Sequence, residues 1–169
     1  MVSGEPQACF VRRSYWATAE ELFDAWLDPR LMRRWLLVDE LSQVVHIEVD
    51  ARPLGHFLVA DRRGSTEVAY VGEYLELDPP RHLRFALQMS RGQVRRAQVT
   101  VDLIFRRGRY EMSVLQTGIV PGLGEERWRE MLDRLNDVLF LERTESKSAR
   151  NARAARIAGS GVRTPLLAR

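Results

Sequence analysis

The chain has 169 residues, 45% of them hydrophobic, with 26 Lys+Arg against 23 Asp+Glu and a formal net charge of +3. That length suits one domain whose core holds without disulfides or metal, and the single cysteine, Cys9, excludes an internal disulfide and points to a reducing compartment. No apolar run approaches the roughly 18 residues of a membrane span, and the start MVSGEPQACF lacks the basic-then-apolar pattern of a secretory signal, so the expected location is cytoplasmic.

Residues 8–15 are predicted as a strand running into ATAEELFDAWLDPRLMRRW, from Ala17 to Trp35. Thr18 followed by Glu21 has the spacing of a capping box. Asp28 and Pro29 end that first helix and begin a second, because Pro at a first helical position has no N–H to lose and Asp is a good cap. Ala19, Leu22, Phe23 and Trp26 recur at helical spacing, and Leu31 with Trp35 repeats the step.

After a connection over 36–43, Val45, Ile47 and Val49 alternate with polar residues as in a half-buried strand. Pro53 to Gly55 is a turn, Phe57 and Val59 continue on one face to Arg62, and Gly64 lies in the next turn. Val68–Leu77 is a further strand, ended by Asp78, Pro79 and Pro80, since two prolines cannot sit in a central ladder. Leu83, Phe85, Leu87 and Met89 alternate up to a turn at Arg91 and Gly92. Val99, Val101, Leu103 and Phe105 follow, and after Gly108 come Tyr110, Met112, Val114 and Gln116. Turns this short make an antiparallel meander. Past a loop at Gly118–Gly124, Glu125 and Glu126 open a long helix with an apolar stripe of Trp128, Met131, Leu132, Leu135, Val138 and Leu139. The expected fold class is α+β: a curved antiparallel sheet of six or seven strands around a long C-terminal helix, with two short helices after the first strand.

The charge is uneven. Residues 146–169 carry six basic side chains and no acidic one, which leaves 20 basic against 23 acidic residues in the body. We divide the chain into a domain over 1–145 and a basic tail over 146–169, expected to be disordered or frayed because little in it would dock. Lys147 is the only lysine, an arginine bias that fits a GC-rich bacterial genome.

Three motifs in this order, FDAWLDPRLMRRW, GEYLELDPPRHLRF (Gly72–Phe85) and WREMLDRLNDVL (Trp128–Leu139), resemble the family named for the activator of the heat-shock protein 90 ATPase, within the START-like helix-grip superfamily. The resemblance covers roughly residues 8–143 and implies a sheet gripping the last helix with a cavity between them. The chain departs from the family pattern at Arg127, where a glycine is usual, at Leu87, where a tryptophan is common, and at Gln116, where a histidine is frequent.

His46, His56 and His82 lack the spacing of a metal site and are expected at the surface, and no phosphate loop or nucleophile motif is present, so neither metal nor cofactor is expected. Cys9 is read as a small buried hydrophobe. The residues expected to border the cavity are Trp35, Phe57, Phe85, Leu87, Val101, Leu103, Met112, Val114, Trp128 and Leu132, with Gln116, Tyr70 and Tyr74 as polar candidates on its wall. Asp61 has the same strand parity but neighbours Arg62 and Arg63, which favours a solvated ion pair. Trp35 is placed at the cavity mouth as a gate. An amide such as Gln116 can orient a ligand but cannot act as a base near neutrality.

The expected function is therefore non-catalytic binding of a small, mostly apolar molecule between sheet and helix. A chaperone-linked protein-binding module is the alternative, and a cyclase or hydratase a third that requires an acid, a tyrosine and an amide converging in one pocket. Nucleic acid would be held only weakly, through the tail, because no aromatic residue lies among its charges.

Overall fold

A computed structural model describes residues 8–90 and 96–159. In chain order the elements are β1 (Ala8–Tyr15), α1 (Ala19–Asp24), α2 (Pro29–Trp35), β2 (Gln43–Val49), β3 (His56–Arg63), β4 (Thr66–Asp78), β5 (His82–Met89), β6 (Ala97–Arg106), β7 (Arg109–Thr117) and α3 (Glu125–Gly159). The turn predicted at Arg91 and Gly92 lies outside the described residues.

The seven strands form one antiparallel sheet in the order β1-β7-β6-β5-β4-β3-β2. Strands that follow one another in sequence are neighbours from β2 to β7, so the sheet is a meander closed by β1 against β7. The first two strands therefore lie at opposite edges, and α1 and α2 make the connection between them. Both helices start as the sequence predicts. The Thr18 hydroxyl accepts from the Glu21 N–H at 3.1 Å while the Thr18 N–H donates to the Glu21 carboxylate at 2.8 Å, and Asp28 accepts from the Arg30 N–H at 2.8 Å beside Pro29.

Directly paired residues share a face, and the pairings define the rungs of the inner face. One rung runs Val49, Phe57, Gly72, Leu87, Ala97, and the next Tyr74, Phe85, Val99, Gln116, Cys9. Two bulges shift the expected alternation. In β2 the register slips between Val44 and His46, so Val44, Ile47 and Val49 turn toward the core while Val45 is exposed. A bulged residue opposes no partner, and alternation read along one strand cannot show it. In β4 the slip lies between Tyr74 and Glu76 and restores Leu77 to the side of Leu83.

α3 covers the sheet with Trp128, Met131, Leu132, Leu135, Val138 and Leu139, all buried. Polar contacts pin it along its length: Arg13 donates to Asp133, the Tyr15 hydroxyl to the Leu132 carbonyl at 2.9 Å, Arg34 to Glu142 and Arg143 to Glu21. The division drawn at residue 145 falls inside this helix. Where disorder or fraying is expected, α3 continues to Gly159 with residues 144–157 exposed. Alanine and arginine are strong helix formers, so the segment extends the helix with its side chains exposed. Residues 160–169 lie outside the described residues. Among the described residues no helix is long and apolar enough to cross a membrane.

His46 and His56 are exposed as expected, but His82 is half-buried on the outer face, its Nδ1 2.7 Å from Asp102 and its Nε2 3.1 Å from Glu76. The Asp102 hydrogen bond raises the imidazole above its ordinary value, burial opposes this, and Glu76 adds to it. A raised folded-state value means the contribution is complete below about pH 6.5 and is lost as pH rises through the higher folded value. From pH 5.5 to 8.5 the native protein is expected to lose more stability than His82→Gln, by less than about 1 kcal/mol for so exposed a cluster. Urea midpoints of both proteins at the two pH values check this, and equal losses would contradict it.

Candidate functional site

The space between sheet and α3 is an aromatic centre. Trp26, at the break between α1 and α2, is its hub, with ring centroids 4.7 Å from Trp35, 5.8 Å from Phe85 and 6.2 Å from Trp128. Phe57 extends it, 5.4 Å from Phe85 and 5.3 Å from Tyr74. All six rings are buried and linked through these contacts where the resemblance implies a cavity. Edge-on and tilted contacts of this kind add about 0.5–1.5 kcal/mol per pair beyond the buried area.

The polar tips of this centre serve the helix break. Where α1 ends, carbonyls lose their helical donors. Trp35 Nε1 donates to the Ala25 carbonyl at 3.0 Å, and the Tyr74 hydroxyl donates to the Trp26 carbonyl at 2.8 Å. Trp35 is thus fully buried and hydrogen-bonded, so the gate position at a mouth is replaced by a core position. Burial pushes the Tyr74 phenol well above its ordinary value. Gln116 is likewise committed: its amide nitrogen donates to the Gly118 carbonyl at 3.2 Å and the Leu123 carbonyl at 3.1 Å, and its oxygen accepts from Trp128 Nε1 at 2.7 Å. It ties β7 and the 118–124 loop to the first turn of α3.

Every residue predicted to border a cavity is on this inner side and buried: Phe57, Tyr70, Phe85, Leu87, Val101, Leu103, Met112, Val114 and Leu132 join the rings already named in one cluster. Trp26, read from sequence only as part of the helical apolar stripe, is the ring that joins Trp35, Phe85 and Trp128. A buried atom there stands out: Trp26 Nε1 has no hydrogen-bond partner.

A second polar group closes the β2–β3 side. Asp61 is 0% exposed, which corrects the solvated ion pair expected there. Its Oδ2 accepts from Arg63 Nε at 2.9 Å and lies 2.9 Å from the Ser42 hydroxyl, while its Oδ1 is buried without a partner. Arg63 also pairs with Asp39 at 2.9 Å, and Arg127 reaches the same Asp39 oxygen at 3.3 Å. The departure at Arg127 therefore has a place: it holds the 36–42 connection against α3. Burial works to raise the Asp39 carboxyl, but the Leu41 N–H, Arg63, Ser42 and Arg127 hold it below the usual range. Tyr70 borders this network, and burial raises its phenol against the pull of Arg63 and Arg127. The acid, the tyrosine and the amide do not converge, because Gln116 lies on the far side of the centre, on the rung of Tyr74 and Phe85. Among the described residues no group of three His, Cys, Asp or Glu side chains is placed to hold a metal ion. Cys9 borders a surface groove of ≈ 330 Å³ along the 118–124 loop, with its thiol raised by burial.

A curved antiparallel sheet wrapped on a long C-terminal helix, with short helices after the first strand, defines the START-like helix-grip class. The model of the family described as "Activator of Hsp90 ATPase homolog 1-like protein" matches residues 16–139, and the chain belongs to that family. Similar solved structures include a protein from Chromobacterium violaceum (24% identity, TM-score 0.68, 78% of this chain and 96% of that one). A protein of unknown function from Staphylococcus aureus is similar at 16% identity (TM-score 0.68, 85% and 99%). A putative protein of the dynemicin biosynthetic locus has 19% identity and a TM-score of 0.60 over 78% of this chain and 46% of that one. At these identities the likeness is one of fold. No curated protein matches the chain.

Proposed function

We propose that this protein is a non-catalytic binding module that receives a small, mostly apolar molecule between the sheet and α3, with one hydrogen-bond acceptor directed at Trp26. The observation that carries the reading is the unpartnered Trp26 Nε1 at the hub of the aromatic centre. A buried donor left unpaired costs about 1–3 kcal/mol, and a phenylalanine would fill a purely structural position without that cost. A ligand acceptor removes the cost, and the surrounding rings supply its apolar contacts. The family's fold supports the reading. So does the chemistry of the walls: Gln116 is an amide with its atoms spent, and Asp61 is tied to Arg63 and Ser42. With the rings in contact, binding requires the α1–α2 break to yield.

The test is a titration with 1-anilinonaphthalene-8-sulfonate, an aromatic probe with sulfonate acceptors, together with native mass spectrometry of protein isolated from its own host. Saturable binding, weakened about tenfold in Trp26→Phe for the loss of about 1.4 kcal/mol, is the expected result. No saturable binding and no co-purified mass, or equal binding by Trp26→Phe, would overturn the proposal.

A further inference from the structure

The end of the sheet farthest from the 118–124 loop gathers basic charge around one exposed ring. The β6–β7 turn is Arg106-Arg107-Gly108-Arg109, and Arg106 and Arg109 stand directly opposite each other in the ladder. Like charges opposite one another destabilise a hairpin. Arg107 and Gly108 both have positive φ, +51° and +80°, in a two-residue turn of the kind that favours Asn-Gly, so arginine at 107 works against the backbone. Among the described residues, none of these three arginines has a carboxylate partner; Glu111, the nearest acid in sequence, pairs with Arg12 at 3.3 Å. A turn selected for stability alone would carry neither feature.

Trp16 connects this tip to α3. The Arg109 guanidinium lies over the Trp16 ring, 4.1 Å from its centroid, and Arg143 of α3 donates to the Trp16 carbonyl. Trp16 is 66% exposed, whereas the other three tryptophans are buried. One helical turn beyond Arg143 comes Lys147, then Arg150, Arg153 and Arg156, with no acidic residue after Glu145. At 1.5 Å per residue the helix carries this row about 20 Å past Arg143.

We propose that the hairpin tip, Trp16 and the exposed end of α3 form a binding surface for single-stranded nucleic acid, with phosphates on the arginines and a base on Trp16. Guanidinium groups pair with phosphate in bidentate fashion and stack on planar rings. Base stacking on an exposed aromatic beside a positively charged track is how single strands are held without sequence preference. A duplex offers no unstacked base to that ring. A lipid surface fits less well, because a helix lying on a membrane needs an apolar face, and between Thr144 and Gly159 the only large apolar residue is Ile157. The expectation of weak binding through the tail alone changes because the fold brings an aromatic ring to the charges. A surface groove of ≈ 440 Å³ beside the tip, lined by Ser14, Arg106, Arg107, Arg109 and Glu111, gives a strand room to lie.

The full-length protein is titrated against fluorescein-labelled dT20 and rU20 in 20 mM and 200 mM NaCl, reading anisotropy and Trp emission. Binding at low salt is expected, with a log–log salt slope of about −0.7 per phosphate contacted and quenching of the Trp16 emission. Arg106→Ala/Arg109→Ala and Lys147→Ala/Arg150→Ala are each expected to weaken binding at least tenfold and to flatten the slope. Arg107→Asn, which suits the left-handed turn position, is expected to raise Tm while weakening binding, an outcome that a merely structural role for Arg107 excludes. No anisotropy change at 20 mM NaCl, or variants that bind as the native protein does, would overturn the proposal. It would also fall if Trp16 emission shifted to the blue on phosphatidylserine vesicles while the oligonucleotides gave no change. The surface lies outside the aromatic centre, so the Trp26→Phe result bears on neither outcome.

Discussion

Replacing Trp35 with Ala is expected to lower the unfolding free energy by about 3–5 kcal/mol, the range for deleting a large buried aromatic side chain. Two losses combine. The ring is fully buried and meets Trp26 edge-on at 4.7 Å, so its removal opens a void beside the hub of the aromatic centre. Its Nε1 also satisfies the Ala25 carbonyl at the end of α1, and alanine leaves that buried acceptor unpaired. Against a typical total of about 5–15 kcal/mol, this brings the native state near its limit. Trp35→Phe separates the terms by keeping most of the ring while removing the donor, and its cost is expected at about 1–3 kcal/mol. Urea unfolding of the native protein and both variants checks the pair. A loss under about 1 kcal/mol for Trp35→Ala would return Trp35 to the gate position expected from the sequence.

The order of elements was legible because its signals are local. The Thr18–Glu21 box, Asp28 before Pro29, and the glycines and prolines of the turns act within a few residues of themselves. The residues of the inner face were legible for the same reason, apart from β2, where the bulge at Val45 put Val44 in its place on the inward side and left Ile47 and Val49 as expected. What the chain did not show is which atoms its polar tips would meet. Tyr74 and Gln116 look like ligand contacts in a pattern of alternation, and Trp35 looks like one at helical spacing. Their partners are carbonyls and an indole from other elements, visible only once α1, the 118–124 loop and α3 are in place. Asp61 is the converse: its strand parity pointed inward and its arginine neighbours pointed outward. The structure satisfies both by burying the carboxylate and bringing Ser42 and Asp39 from a connection that carried no pattern.

Gly72 makes the second large effect. It stands directly opposite Phe57, and a Cβ built on it would lie 2.0 Å from Cε1 and 2.1 Å from Cζ of that ring. The ring crosses the strand where β4 has no side chain, an aromatic covering a glycine on the neighbouring strand. It cannot swing away, because Tyr74 and Phe85 hold it at 5.3 and 5.4 Å. Gly72→Ala is therefore an overpacking change, expected to cost about 3 kcal/mol, the upper part of the usual range. Phe57→Ala removes the obstacle and leaves a void, at about 3–5 kcal/mol. The two are not independent, since the methyl added at 72 enters space the ring has vacated. The double variant is expected to be more stable than the sum of the two losses implies, by about 1–3 kcal/mol of coupling. Equilibrium unfolding of the four proteins gives the coupling directly, and strict additivity would mean that the ring escapes the methyl by a route the packing of Tyr74 and Phe85 closes.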